Sequence, residues 1–246
     1  MLIICVEIAS IKRNAQSGGD TLSLANKYRP TSWDDVVAQP FVVDMLRNIC
    51  CHELSNRNFL LIGPAGTGKT TMARIIASSL NGEDGNVIEL DAASNNGVDI
   101  IRDLIQQAKL YPVGQKYKVF IIDECHSLTN SSWQALLKTI EDVPAMSIFI
   151  FCTTNPEKIP ETILSRVQLS KLSVTEIKDR LEYIISRENS DSSNITYTED
   201  AISYIAKLAN GGMRDALTLL DKALTYSNNI TSESLSIALG LPDYDD

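Results

Sequence analysis

The chain has 246 residues, of which 44% are hydrophobic, and carries a formal net charge of −9. Its length suits one large domain or a large and a small one, and no run reaches the ~18 consecutive apolar residues of a membrane span, which predicts a protein without a membrane partner. The negative charge argues against a protein that holds nucleic acid by bulk electrostatics. Because ten acidic residues outnumber four basic ones from Arg187 onward, any DNA contact is expected in the front half.

The five cysteines contain no C-x-x-C pair and are accompanied by only two histidines. This usage predicts neither a zinc site nor a disulfide framework, and it is typical of a protein in a reducing cytoplasm. The pair Cys125-His126 suggests a nucleophile, but its position just beyond an apolar strand favours a packed loop.

Residues 1–20 begin apolar and continue into a linker rich in Ser, Gly and Asn, and we assign this N-terminal extension no function. A helix is predicted next over Phe41 to Leu54, with Pro40 in its first turn. Four short apolar runs follow, each succeeded by a helical pattern, and this alternation predicts a parallel sheet covered by helices. The runs are Phe59–Ile62, Val87–Leu90, Val119–Ile122 and Ile148–Phe151.

Helix boundaries are marked in the second half of the chain. Ser131-Ser132-Trp133-Gln134 predicts a capping box, a short helix is expected to end at Ser165-Arg166, and the sheet is expected to end near Leu172. Only helices are predicted beyond that point: the first opens with a capping box at Ser173, Thr198 caps the second, and the others begin near Met213 and Ser232. The pattern therefore predicts an α/β domain over residues 21–172 and a small all-α domain over residues 173–246.

A glycine-rich segment directly behind the first apolar run fits the phosphate-loop pattern G-x-x-x-x-G-K-[ST]. A buried strand that runs into such a turn and then a helix aims backbone N–H groups and the positive helix end at one point, where a triphosphate can sit. Lys69 would reach the β- and γ-phosphates, and Thr70 would hold Mg²⁺. A simple glycine turn before a basic helix start is the alternative, and the loop alone does not distinguish a kinase, a GTPase and a motor. The predicted nucleotide-binding residues here are Gly63, Pro64, Ala65, Gly66, Thr67, Gly68, Lys69, Thr70 and Thr71.

Two carboxylates, Asp123 and Glu124, end the third apolar run at the sheet edge where ligands bind in open α/β folds. Asp123 can coordinate Mg²⁺ through water, and Glu124 can orient and polarise an attacking water. A strand followed by Asp-Glu is commonplace by itself, but with the upstream phosphate loop it predicts nucleotide hydrolysis. Thr154 follows the next strand and could reach the γ-phosphate, although the start of a turn explains it equally well.

Two arginines lie at element boundaries. Arg166 is predicted to end a short helix, and Arg214 lies in the first turn of a helix of the small domain. Arginines at such positions are usually solvated or salt-bridged, so spacing alone favours that interpretation over a phosphate contact for both.

Several longer segments resemble the AAA+ motor subunit of the bacterial sliding-clamp loader, the gamma/tau subunit of DNA polymerase III, from about Leu24 to the end of the chain. The run from Asp91 to Asp99 and the segment Leu136–Glu141 are specific to that family rather than general ATPase motifs. The segments that carry the resemblance are Leu24–Pro30, Asp34–Val37, Asp91–Asp99, Leu136–Glu141 and Thr162–Arg166.

This resemblance implies roles that spacing leaves open. Thr154 would be the family's sensor 1, Arg166 the arginine finger that completes the ATP site of a neighbouring subunit, and Arg214, next to Met213 in the ATP site, would be sensor 2 in the lid. The implied adenine contacts are Tyr28, Arg29, Pro30 and Val37, and the implied DNA-contacting residues are Asn95, Asn96, Arg102 and Lys109. The implied partners are ATP with Mg²⁺, other loader subunits in a ring, a sliding clamp and primer-template DNA.

Two departures from the family pattern accompany these matches. The family's four-cysteine zinc module is absent between Leu80 and Val87, so no zinc is expected, and the usual Ser-Arg-Cys is Ser165-Arg166-Val167. No collar domain follows Leu241 in this sequence, which leaves open whether the chain assembles a ring by itself. The expected function is an ATP-dependent clamp-loader subunit; the alternatives are a nucleotide-binding structural subunit with little turnover and another AAA+ motor such as a branch-migration helicase.

Overall fold

A computed structural model of the protein describes residues 23–51, 58–82, 87–160, 166–191 and 193–240, with Arg166 described by its backbone alone. Within these residues the larger sheet has five parallel strands in the order β2-β3-β4-β1-β5. Its strands are β1 (Asn58–Ile62), β2 (Val87–Asp91), β3 (Lys118–Asp123), β4 (Ser147–Thr153) and β5 (Arg166–Gln168). The central strand β4 is buried along its whole length, as expected for a parallel strand covered on both faces.

Helices cover both faces of this sheet. Because side chains alternate along a strand, Phe59 and Leu61 pack with helices α2 and α3, whereas Leu60 packs on the opposite face with α4 and α5. The helices of this part are α1 (Leu24–Lys27), α2 (Pro40–Cys51), α3 (Lys69–Asn81), α4 (Val98–Ala108) and α5 (Asn130–Glu141). The described part of the chain contains no helix long and apolar enough to cross a bilayer.

The helical domain has its own core. Leu24 of α1 packs into this core, and the Leu24 N–H donates to Asp221 Oδ2 over 2.9 Å, so α1 is attached to the helical domain rather than to the sheet. A parallel pair of two-residue strands, β6 (Thr196–Tyr197) and β7 (Asn229–Ile230), also lies here and was not predicted. The helices are α6 (Val174–Ser190), α7 (Glu199–Leu208), α8 (Met213–Tyr226) and α9 (Ser232–Leu239).

The four predicted strands are confirmed, as are the capping box at Ser173 and the N-cap at Thr198. The capping box predicted at Ser131 is wrong: the side chain of Thr129 accepts from the Ser132 N–H, and the helix already begins at Asn130. Thr129 is the better cap because its hydroxyl lies three residues before that orphan N–H.

The interpretation of Arg166 as a helix end is also wrong, since its backbone opens strand β5, which pairs with β1. Strand β5 is only three residues long, too short for its periodicity to reveal it. The predicted short helix up to Ser165 and the end of the first helix at Leu54 lie outside the described residues.

The segment before α2 is strained. Ala38 and Gln39 both have left-handed backbone conformations, with φ of 62° and 63°. Each non-glycine residue in this region costs about 1–2 kcal/mol, because Cβ approaches a carbonyl oxygen. The strain is maintained by the contacts of the neighbouring segments.

Replacing Ala38 by glycine is therefore expected to stabilise the protein. Relief of left-handed strain, about 1–2 kcal/mol, exceeds the roughly 0.5–1 kcal/mol by which glycine favours the unfolded chain, so a gain of about 1 kcal/mol and of ~2–4 °C in melting temperature is expected. Calorimetric melting of the two proteins measures the change. A lower melting temperature for Ala38→Gly would contradict the strain assignment.

Candidate nucleotide-binding site

A cleft lies between the carboxyl edge of the sheet and the helical domain, and it contains most of the predicted site residues. One end is formed by the phosphate loop and the carboxylates of β3, the other by apolar side chains before α2. Its lining residues include Ala65, Gly66, Thr67, Gly68, Lys69, Thr70, Thr71, Asp123 and Glu124.

The backbone of the phosphate loop needs its glycines. Gly66 and Gly68 have φ of 73° and 91°, and a Cβ on Gly66 would lie 3.0 Å from Gly212 Cα of the helical domain. A Cβ on Gly68 would meet nothing within 4 Å. The loop is therefore a cradle that opens into the cleft, in front of the free N–H groups at the start of α3.

Lys69 is buried in this loop, with 5% of its surface exposed. Its Nζ donates to Gly63 O over 3.0 Å and to Pro64 O over 2.9 Å. Burial lowers the pKa of Lys69, although the nearby carboxylates of Glu124 and Asp123 oppose that shift. A buried cation held by carbonyls alone is ready to bind an anion, because a phosphate oxygen can replace either carbonyl. Gly63 and Pro64 therefore contribute to the phosphate site by holding the Lys69 ammonium through their backbone carbonyls.

Thr70 and Asp123 come together at the start of α3. The Thr70 hydroxyl donates to Asp123 Oδ2 over 2.5 Å, and the other carboxylate oxygen, Oδ1, accepts from the Glu124 N–H over 2.9 Å. A hydroxyl and a carboxylate are the hard oxygen donors that Mg²⁺ prefers beside phosphates. The donor set fits the predicted metal, which would need only these two protein ligands with phosphate and water completing its shell.

Glu124 has an unusual backbone and a defined side-chain environment. Its φ of 45° is left-handed, which turns the residue out of the line of β3. Its Oε2 accepts from the Thr154 hydroxyl over 3.3 Å and lies 3.3 Å from His126 Nδ1, which is also 3.2 Å from Thr153 Oγ1. The sequence interpretation missed His126 as a neighbour of the carboxylate.

Cys125 is buried, and burial raises the pKa of its thiol, so the packed-loop interpretation fits this position better than a nucleophile. The other described cysteines, Cys50, Cys51 and Cys152, are free thiols. No group of three or more metal-binding side chains occurs in the ranges that the structure describes.

The opposite end of the cleft is apolar and suits a flat aromatic base. Tyr28, Pro30, Val36 and Val37 line it, as predicted for three of them, and Val36 is an addition. The Tyr28 hydroxyl donates to Glu188 Oε1 over 2.7 Å; burial and this carboxylate raise the pKa of Tyr28. The tyrosine is therefore a neutral, fixed wall of the cleft at physiological pH.

Positively charged side chains from both domains line the cleft. Arg29 lines the cleft, and burial together with Arg74 and Arg214 lowers its pKa. Arg214 and Met213 also line the cleft, and the Met213 N–H donates to Gly66 O over 3.2 Å.

Arg180 of α6 is a further lining residue that sequence reasoning missed, and its guanidinium lies 5.0 Å from the centre of the Tyr183 ring. Its position three residues after buried Ile177 on an amphipathic helix is the signal that could have found it.

The remaining predicted residues lie elsewhere. The DNA candidates Asn95, Asn96, Arg102 and Lys109 are all exposed, and Arg102 forms an ion pair of 2.8 Å with Asp99. The Arg166 side chain lies outside the described part of the structure.

Comparisons with known proteins agree with this geometry. Residues 81–176 match a family model described as DNA polymerase III, delta subunit, and residues 176–229 match one described as DNA polymerase III clamp loader subunit, ATPase lid domain. The chain is 39% identical to DNA polymerase III subunit tau of Bacillus subtilis over 85% of its own length and 40% of that relative. It is 36% identical to DNA polymerase III subunit gamma of Buchnera aphidicola subsp. Schizaphis graminum, over 89% of its length and 66% of that relative.

Among solved structures, the Thermotoga maritima RuvB Holliday junction branch migration motor superposes with a TM-score of 0.69 at 23% identity, over 87% of this chain and 72% of that one. The likeness to RuvB concerns the fold alone.

A parallel sheet with a phosphate loop and an Asp-Glu strand end, closed by a helical lid, defines a protein of the AAA+ P-loop class. Within that class, the chain belongs to the DNA polymerase III clamp-loader family that includes the gamma and tau subunits.

Proposed function

We propose that this chain binds Mg²⁺ and ATP in the cleft between its two domains and hydrolyses the ATP to load a sliding clamp onto primed DNA. The observation that carries the proposal is the convergence of Lys69, the Thr70–Asp123 pair and Glu124 at one end of a cleft whose other end is apolar. The chain spans about 40% of the Bacillus subtilis relative, so clamp loading belongs to the proposal.

In the proposed reaction, Lys69 exchanges its carbonyl partners for phosphate oxygens. Thr70 and Asp123 would hold Mg²⁺, which neutralises charge on the phosphates, and Glu124 would orient the attacking water. The Thr154 hydroxyl, 3.3 Å from the Glu124 carboxylate, would keep that group in place and sense the γ-phosphate. Arg214 and Met213 would report the nucleotide to the lid.

Assembly with other subunits is part of the proposal. Arg166 would complete the site of a neighbouring subunit, a contribution worth roughly 10³–10⁵ in rate for arginine fingers. DNA backbone contacts are assigned to the exposed residues Asn95, Asn96, Arg102 and Lys109. A cytoplasmic location is proposed with these partners.

The test is an ATPase assay of the purified chain in Mg²⁺, with and without a sliding clamp and primed DNA. We expect turnover to rise when both are present and to disappear when EDTA removes the metal. Turnover that needs neither clamp nor DNA would argue for another AAA+ motor, and binding without turnover under every condition would support a structural nucleotide-binding subunit.

A further inference from the structure

We propose that Gln39 is a positioning residue that couples the base end of the cleft to the segment joining the two domains. The inference rests on the proposed function, because it takes the ligand to be a nucleotide whose base occupies the apolar end. We name residues 169–173, between β5 and α6, the connector.

The side chain of Gln39 is clamped to the connector by two hydrogen bonds. Its Nε2 donates to Ser170 O, and its Oε1 accepts from the Ser170 N–H, both over 3.1 Å. This pairing imitates the way one strand pairs with another, although the two residues are 131 positions apart. Gln39 also lines the cleft beside Val36 and Val37, and its carbonyl accepts from the Val43 N–H in the first turn of α2.

The left-handed backbone at positions 38 and 39 indicates that this clamp does more than fill space. A glycine would adopt φ near 60° at little cost, but the chain has alanine and glutamine there. Strain of this kind persists only where surrounding contacts over-determine the conformation, and it concentrates at functional sites. The two bonds to Ser170 are contacts of that kind.

The connector in turn is bonded to both domains. The Leu169 N–H donates to Ile62 O of β1 over 2.7 Å, just before the phosphate loop. On the other side, the Leu172 N–H donates to Gly211 O over 3.1 Å, and Lys171 Nζ donates to Asn210 over 2.9 Å. A displacement of Ser170 is therefore transmitted to the loop that precedes α8 of the lid.

A base packed on Val36 and Val37 would press on the segment that carries Gln39, whereas a ligand with phosphates alone would not touch it. Gln39 should therefore matter for ligands with a base and be irrelevant to the phosphate end. A residue with only a structural role would affect both kinds of ligand equally.

The test compares the binding of MgATP and of Mg-tripolyphosphate to the parent chain and to Gln39→Ala by calorimetry. Loss of both hydrogen bonds should weaken MgATP binding roughly 30-fold, which corresponds to about 2 kcal/mol, while tripolyphosphate affinity stays unchanged. Gln39→Glu keeps the acceptor for the Ser170 N–H but loses the donor, so it should show an intermediate loss and covers the case in which the alanine variant fails to fold.

Gln168→Ala is the matched control, because Gln168 is an exposed glutamine two residues before Ser170. It should bind both ligands like the parent. Equal loss of both ligands in Gln39→Ala, unchanged MgATP binding, or the same loss in Gln168→Ala would overturn the inference. If the parent chain binds tripolyphosphate and MgATP with equal affinity, the base makes no contact that contributes to binding, and the inference about Gln39 fails. If the parent chain binds neither ligand, the proposed function itself is wrong.

Discussion

Glu124→Gln is expected to lower ATP turnover by about 10²–10⁴, the usual contribution of a group that activates the nucleophile in proton transfer. Binding of MgATP should be retained, because glutamine has the same shape and its amide oxygen can still accept from the Thr154 hydroxyl, now 3.3 Å away. Steady-state turnover with clamp and primed DNA, together with calorimetric binding of MgATP, separates the two effects.

Glu157→Gln supplies the control for this experiment. Glu157 is an exposed carboxylate just beyond β4, so the same change of charge there should leave turnover intact. If Glu124→Gln hydrolyses ATP at the parent rate with clamp and DNA present, Glu124 does not activate the water. A parallel loss of MgATP binding would instead make the carboxylate part of the binding site.

Lys69→Met is expected to abolish useful ATP affinity. Removal of one partner from a buried charge pair costs about 2–5 kcal/mol, which corresponds to a loss of roughly 30-fold to several thousand-fold. In the parent chain, the free energy that Lys69 gains by binding phosphate is partly offset, because the lysine gives up its hydrogen bonds to Gly63 O and Pro64 O. Titration of MgATP against both proteins measures the loss directly.

Lys207→Met is the comparison variant, since Lys207 is exposed in the last turn of α7 and is not one of the residues that line the cleft. It should bind MgATP normally. An affinity of Lys69→Met close to that of the parent would show that the carbonyl contacts are the sole role of the lysine and would remove it from the phosphate site.

Local rules in the sequence predicted much of the fold and of the site. Buried strands such as Ile148–Phe151 are continuous apolar runs, and the capping box at Ser173 is a local hydrogen-bond pattern. The phosphate loop is also local, so the relation of Lys69 to the loop carbonyls follows from spacing within a few residues.

Features that depend on an unusual backbone conformation or on distant residues were not predictable in this way. The neighbours Glu124 and His126 are close in sequence, yet their contact depends on a left-handed turn at a non-glycine residue, which no propensity anticipates. Arg180 enters the cleft only because the helical domain packs over it, and the side chain of Gln39 is held by Ser170, 131 positions away. Thr129, and not Ser131, caps α5 because the helix begins at Asn130. Sequence patterns locate the ends of a helix only to within one or two residues, and this difference lies inside that range.

The contact between Met213 N–H and Gly66 O has an electrostatic consequence. Helix α3 begins at Lys69 and helix α8 at Met213, so the N-termini of two helices from different domains meet at one loop. Each carries about half a positive elementary charge, and both fields favour negative charge placed between them. Since one of these helices belongs to the lid, each charge added to or removed from a ligand in the cleft changes the force that holds the lid against the sheet.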